Sequence, residues 1–392
     1  MIQGGAKQVR FEFATASRII FGSGTIIEAA PLAASLGRRA LVVTGKDEGR
    51  ASALFDRLRA SGIETSIYRI VGEPQIGTVV EAAQIARFQS HDLVIGMGGG
   101  SVLDGGKAIA ALVTNRSDIM DYLEVIGAGK PFENPSLPYI AIPTTAGTGS
   151  EVTRNVVLVS PEHRVKVSMR SPLMMPRVAL VDPETTHSLP PEITASTGLD
   201  ALTQLIEPYV CNSPNPLIDG ICREGIRRAA RSLSIAYDAG KNADARSDMA
   251  LAALFGGIAL ANAKLGAVHG LAGPIGGMFP APHGAVCARM IPIVAEANVR
   301  ALQARSPDSP SLKRYDEVAQ LLTGKAEAKA ADCIHWLHTL CERLHVKPLS
   351  SFGLSREEIP SIVARAQKAS SMKGNPISLA EDELTWILAQ AL

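Results

Sequence analysis

Aromatic side chains are scarce in this chain, at 4% of 392 residues, and neither sign of charge dominates, with 39 lysines and arginines against 38 acids. A net charge of +1 gives no electrostatic footprint for a nucleic acid or an anionic membrane, so neither is expected as a partner. Cysteine is also sparse. Cys211, Cys222, Cys287, Cys333 and Cys341 are odd in number and form no C-x-x-C, which argues against a disulfide framework and predicts reduced thiols in the cytoplasm. Glycine, proline or charge interrupts every apolar run before the roughly 18 residues that a membrane span needs. Residues 1–10 hold Lys7 and Arg10 with no following apolar block and cleavage site, so no secretory signal is expected.

What the chain has in quantity is glycine, 35 residues, and small apolar side chains, concentrated where strands run into helices. Residues 93–110, LVIGMGGGSVLDGGKAIA, are an apolar strand, a glycine run that lets backbone approach a ligand, and a helix with Ser101 at its N-cap position and Asp104 three residues on. Free N–H groups at such a helix start attract anions, and a dinucleotide pyrophosphate is the natural occupant. A second turn, PTTAGTGSEVT at 143–153, follows the strand at 139–142 and offers a second lip of hydroxyl donors.

Between these landmarks, strands at 39–44, 64–71, 93–97, 139–142 and 178–182 alternate with helices at 26–36, 51–61 and 77–88, which predicts a parallel α/β sheet. The segment 11–22, FEFATASRIIFG, reads as one or two strands pairing outside that sheet. From Pro191 onward the pattern is helical, at 195–210, 217–239, 246–263, 312–322, 330–344, 356–370 and 381–392. The expected organisation is an α/β nucleotide-binding domain at 1–187 followed by an all-helical metal and substrate domain at 188–392.

Asp200 and Gln204 lie four apart in STGLDALTQLIEPYV and share a helix face, while His269 and His283 stand fourteen apart, each beside glycine. One carboxylate and two imidazoles suit zinc or ferrous iron, with Gln204 a weaker neutral donor; spacing alone leaves hydrogen-bonded core groups as the other reading. Cys333, His335 and His338 interleave with Trp336, Leu337 and Leu340, have no carboxylate placed to complete a site, and read as an ordinary packed helix. His91, His163, His187 and His345 belong to no visible constellation.

The segments RIIFGSGTI, ALVVTGK, IGMGGGSVLDGGKAIA, IPTTAGTGSEVT, VALVDPETTHSLPPEITASTGLDALT, VHGLAGPIGGMFPAPHG and MKGNPISLAEDEL, in this order, make the chain resemble the iron-containing (group III) alcohol dehydrogenase family, a relative of glycerol dehydrogenase and dehydroquinate synthase, over nearly its whole length. The resemblance implies a Rossmann-like domain that binds NAD or NADP, a helical domain of dehydroquinate synthase type, and a substrate cleft between them. It implies that Gly99, Gly100, Ser101 and Asp104 receive the pyrophosphate, that Thr144, Thr145 and Thr148 form the second nucleotide lip, and that Lys166 lies near the ribose. Relatives preferring NAD tend to carry an aspartate where this chain has Gly45, followed by Lys46; without that carboxylate a 2′-phosphate has room, so NADP is favoured over NAD.

The family's metal ligands, an aspartate and three histidines, are matched here by Asp200, His269 and His283, with Gln204 in place of the remaining histidine. A second departure is Gly273, where relatives commonly have a histidine near the reacting carbon. The expected activity is hydride transfer between nicotinamide and a small alcohol, aldehyde or ketone, assisted by a divalent iron or zinc ion. The alternatives are a metal-independent reductase of maleylacetate reductase type using His269 or His283 as proton donor, a lyase or synthase of dehydroquinate synthase type, and a nucleotide-binding protein without catalysis. Relatives are often dimers built through N-terminal strands, so a homodimer is expected, with residues 11–22 at the interface.

Overall fold

Among the described residues, eight short runs form the strands, with β3 at the sheet edge the most polar and exposed of them. The computed structural model describes residues 10–392, so the reading of residues 1–10 lies outside the described residues except at Arg10. Strands β1 (Ile19–Phe21), β2 (Arg39–Thr44), β3 (Glu64–Arg69), β4 (Leu93–Gly98), β5 (Tyr139–Pro143) and β8 (Val178–Val181) make one sheet in the order β1-β8-β5-β4-β2-β3, with every neighbouring pair parallel. Alternate side chains sort to opposite faces, as the period of two requires. Ala40, Val42, Leu93 and Ile95 pack with residues of α1 (Ala29–Leu36) and α2 (Ser52–Ala60), whereas Leu41, Val43 and Val94 pack with those of α3 (Ile76–Phe88) and α4 (Gly100–Thr114). A sheet covered on both faces is what the near-continuous apolar strands demanded.

The strand order reverses beside β2, whose neighbours are β3 on one side and β4 on the other. Chain connections leave in opposite directions there, opening a crevice at the carboxyl ends of β2 and β4. Gly45 and the glycine run after β4 border that crevice.

Three features differ from the sequence reading of the first half. Residues 11–17 form no strand, and Ile19–Phe21 joins the main sheet as its edge, parallel to Ala179–Val181, rather than pairing outside it. A two-stranded antiparallel hairpin, β6 (Asn155–Ser160) and β7 (Val165–Arg170), follows the second glycine turn. A four-residue helix, α5 (Ile119–Tyr122), precedes β5.

The second half is helical throughout: α6 (Pro191–Val210), α7 (Pro216–Asp238), α8 (Ala243–Asn262), α9 (Ala267–Met278), α10 (His283–Arg305), α11 (Pro310–Thr323), α12 (Ala330–Arg343), α13 (Ile359–Ala366) and α14 (Glu381–Ala391). Helix α6 is buried on every side from Gly198 to Val210, packed against α7, α8 and α10, so its polar residues are interior groups. The core of this half continues to Ala179 and Val181 on β8 and to Val152 beyond the second turn. The halves meet backbone to backbone at one point: Gly149, at φ +61°, lies against Gly257 of α8, where a Cβ on either residue would overlap the other's main chain. Among the described residues no single helix is long and apolar enough to cross a membrane.

Candidate active site

Helix α4 begins at Gly100 with Gly99 in the N-cap position, two residues before the Ser101 cap that the sequence suggested, and no side chain caps it. Val102 and Leu103 both donate to the Gly99 carbonyl at 3.0 Å, which leaves the Gly100 and Ser101 amides at the open end of the helix. Thr144 N donates to Gly98 O at 2.9 Å and so seats the second turn beside the first. Thr148 fits the space that glycine leaves: a Cβ on Gly100 would stand 2.7 Å from its Oγ1 and Cγ2, and one on Gly99 would stand 3.3 Å from Thr145 Cγ2. Gly99, Gly100, Ser101, Thr145 and Thr148 are half-buried, as cleft walls should be, and Thr144 is buried behind them. Gly45, also half-buried, has only Val102 Cγ2 within reach of a Cβ, at 3.8 Å.

Asp104 points to the second turn. Its carboxylate accepts from the Ser150 hydroxyl and, at 2.9 Å, from Val157 N, and lies 3.8 Å from Lys107 Nζ. Lys107 is wholly buried and donates to Ser150 O, Ser150 Oγ, Thr153 Oγ1 and Asn155 O at 2.7–3.1 Å. Burial lowers its ammonium to about 8, with Asp104 and Glu151 pulling the other way. Helix α4, the second turn and β6 are thereby one polar clamp, and Asp104 sets where the turns stand. Lys166, on β7, pairs with Glu73 at 3.1 Å and lies over Gly276 and Gly277 of α9, between the hairpin and the helical half.

In the helical half, Asp200 on α6, His269 on α9 and His283 at the start of α10 converge. His269 Nε2 is 3.6 Å and His283 Nε2 3.7 Å from Asp200 Oδ1, distances too long for hydrogen bonds. Cys287, one turn after His283, puts Sγ 3.6 Å from His283 Nε2, and the four donor atoms all lie within 4.8 Å of one another. Asp200 Oδ1, His269 Nε2 and Gln204 Oε1 are buried with no hydrogen-bond partner. Two of these orphaned atoms, Asp200 Oδ1 and His269 Nε2, belong to the cluster and are costly unless something occupies it. A divalent cation fits: the set is one carboxylate, two imidazoles and a thiol, with the amide of Gln204 one turn from Asp200.

Behind these donors stands Glu207. Its Oε2 lies 2.6 Å from His269 Nδ1 and its Oε1 accepts from Val268 N at 2.7 Å. A carboxylate can only accept here, so Nδ1 carries the proton and Nε2 is turned to the cluster, the arrangement that orients metal-bound imidazoles. The start of α9 is fixed from the far side by Asn375, whose Oδ1 accepts from Ala267 N at 3.0 Å and whose amide donates to Asn298 at 2.6 Å.

The charges are interdependent. Burial alone would lower His269, but Glu207 and Asp200 outweigh it and raise the imidazole to about 10. For Asp200 burial works upward and is overcome by His283 and His269, leaving the carboxyl low. Burial lowers His283, Asp200 opposing and His269 and Lys166 adding to the effect. Burial and the neighbouring Asp200 push the Cys287 thiol well up. A bound dication would reverse that for the thiol and displace the proton from His269. The His283 side chain is 31% exposed, against 6% for His269 and 2% for Asp200, so the cluster opens at His283.

The structure thus brings together Asp200, His269 and His283 on one side, with Gln204 one turn along α6 from Asp200, and the two turns on the other. Cys287 and Glu207 were not singled out from the sequence. Glu207 falls at i+7 from Asp200, after Gln204 at i+4, so the helical period of one buried face could have found it. Cys333 is buried, and His338 reaches only Glu296, at 4.0 Å. Gly273 faces open space, with nothing within 4 Å of where a Cβ would be.

Comparison with known proteins agrees with this layout. The family model for iron-containing alcohol dehydrogenase matches residues 16–183, and that for the C-terminal region of the Fe-containing alcohol dehydrogenase family matches residues 194–392. The chain is 34% identical to alcohol dehydrogenase 4 of Saccharomyces cerevisiae over 377 residues, covering 95% of this chain and 96% of the yeast protein. A crystal structure of 1,3-propanediol oxidoreductase superposes with a TM-score of 0.90 at 32% identity, covering 98% of this chain and 100% of the other. Sulfoacetaldehyde reductase from Bifidobacterium kashiwanohense, solved with NAD+, superposes with a TM-score of 0.87 at 29% identity, covering 98% and 99%.

Proposed function

Because the chain belongs to the iron-containing alcohol dehydrogenase family, a family of oxidoreductases that use NAD(P) and a divalent metal, we propose that it moves hydride between a nicotinamide cofactor and a small alcohol, aldehyde or ketone. The observation that carries this reading is the convergence of Asp200, His269, His283 and Cys287, with Asp200 Oδ1 and His269 Nε2 buried and orphaned, in a cluster open at His283. When bound, the cation supplies Lewis acidity toward the substrate oxygen and the nicotinamide supplies or takes the hydride. The chain does the rest. Gly99, Gly100 and Ser101 offer the helix-start amides to the pyrophosphate. Thr144, Thr145 and Thr148 form the opposite lip, and the Lys107–Asp104 clamp holds the lips at a fixed separation, which keeps the reacting carbons in register. Glu207 holds His269 so that Nε2 faces the cluster. His283, half-open to the cleft, is the group of the cluster placed to exchange a proton with solvent.

The space beside Gly273 leaves room for a substrate chain that no imidazole crowds. Relatives named for alcohols, propanediol and sulfoacetaldehyde support small substrates. Gly45 favours NADP over NAD, since no carboxylate at the end of β2 opposes a 2′-phosphate. A homodimer through residues 11–22 is supported by Phe11 and Phe13, which are 48% and 40% exposed.

The test is a hydride-transfer assay on the protein loaded with iron or zinc, across short alcohols and aldehydes, with both cofactors. Turnover with NADPH exceeding that with NADH is expected, and Gly45→Asp should reverse the preference by at least about tenfold in kcat/KM, on the order of 1.4 kcal/mol. Absence of transfer with either cofactor would overturn the reading.

A further inference from the structure

Gln204 stands where the family has a histidine, which leaves the cluster one strong donor short; the structure shows where another is available. Resting on the reading that a cation sits among Asp200, His269 and His283, we propose that Cys287 Sγ is its fourth protein donor and that the resulting two-nitrogen, one-oxygen, one-sulfur set selects zinc over ferrous iron.

Position is the first argument. Cys287 follows His283 by four residues on α10, so the two side chains share a helix face, and both turn toward Asp200. Zinc bonds of about 2.0–2.1 Å to nitrogen or oxygen and about 2.3 Å to sulfur, set tetrahedrally, put donors about 3.3–3.6 Å apart. The cluster shows 3.6 Å from Cys287 Sγ to His283 Nε2, 3.6 Å from His269 Nε2 to Asp200 Oδ1, and 3.7 Å from His283 Nε2 to Asp200 Oδ1. Three of the six separations are thus already close to tetrahedral edge lengths, the other three lie within 4.8 Å, and two of the donor atoms, Asp200 Oδ1 and His269 Nε2, are buried without partners.

Chemistry is the second argument. A thiolate is soft and binds zinc better than a neutral amide oxygen binds either metal. Binding requires only loss of the Sγ–H proton to solvent, with no redox change. The other cysteines offer nothing comparable: Cys341 donates to Ala288 O at 3.4 Å, and among the described residues Cys287 alone joins a cluster of metal-ligating groups.

Cobalt(II), added alone to the full-length metal-free protein, is the probe. A near-ultraviolet thiolate-to-cobalt charge-transfer band is expected in the wild type, lost in Cys287→Ser and retained in Gln204→Ala. Cobalt and zinc affinity should fall in Cys287→Ser by at least the roughly 10–100-fold that changes behind a ligand cost. X-ray absorption of the zinc-loaded wild type, which needs no variant to fold, should show one sulfur at about 2.3 Å. Bound cobalt without the band, a band that survives Cys287→Ser, or a zinc shell free of sulfur would each overturn the assignment. Hydride transfer separates the two readings: a wild type that turns over but shows no band loses only the cysteine, whereas a band without turnover on either cofactor defeats the dehydrogenase and leaves the metal site.

Discussion

Glu207 touches no substrate, yet it decides which nitrogen of His269 faces the cluster, through the 2.6 Å contact to Nδ1. Glu207→Ala is expected to weaken divalent-metal affinity about 10–100-fold, measured by chelator competition, with Glu207→Gln recovering part of the loss because the amide oxygen can still accept. Glu151 governs a different property. Burial raises its carboxyl to about 7 from 4.5, its own backbone N–H and Lys107 only partly countering. As pH climbs, the unfolded chain ionises first, so the stabilisation is whole below about pH 4.5 and drains away through about pH 7. Glu151→Gln should flatten that slope, roughly 3 kcal/mol, in urea titrations between about pH 5 and pH 8. At this scale the sequence disclosed Asp200, His269 and His283 because glycine and motif context marked them. Cys287 stayed hidden because a lone cysteine in PHGAVCA looks like any small buried residue, and only the fold of α10 against α6 turns it to Asp200.

Helix α4 and the turn at 143–149 act as a pair, and their fit rests on what Gly100 omits. Gly100→Ala should raise the nicotinamide Kd at least tenfold, about 1.4 kcal/mol, because Thr148 is β-branched and short and cannot swing away. Adding Thr148→Ala should recover much of that loss; isothermal titration of the two variants decides it. Strands β2 to β5 and β8, and helices α6 to α8, were plain from periodicity. Helices α9 and α10 were not, since Gly270, Gly273, Gly276, Gly277 and Pro274 in one, and Pro292 in the other, are poor helix formers that tertiary packing overrides. The β6–β7 hairpin alternates buried and half-buried positions, but between two turn-rich stretches its short period was masked.

Across the whole molecule, the two halves meet backbone to backbone where Gly149 lies on Gly257. Gly149→Ala would set a Cβ both in the left-handed region and against α8, costing roughly 2–4 kcal/mol, and calorimetry should show a lower and broader melting transition. The order of an α/β half before a helical half was legible because strand-helix alternation stops after β8. How the halves join was not, since a glycine-on-glycine contact leaves no trace in apolar periodicity. That contact also sets a rule for grafting. A chimaera that takes its first 187 residues from one relative and its remainder from another will close its cleft only if both parents bring a residue without a side chain to this seam, however well their catalytic residues agree.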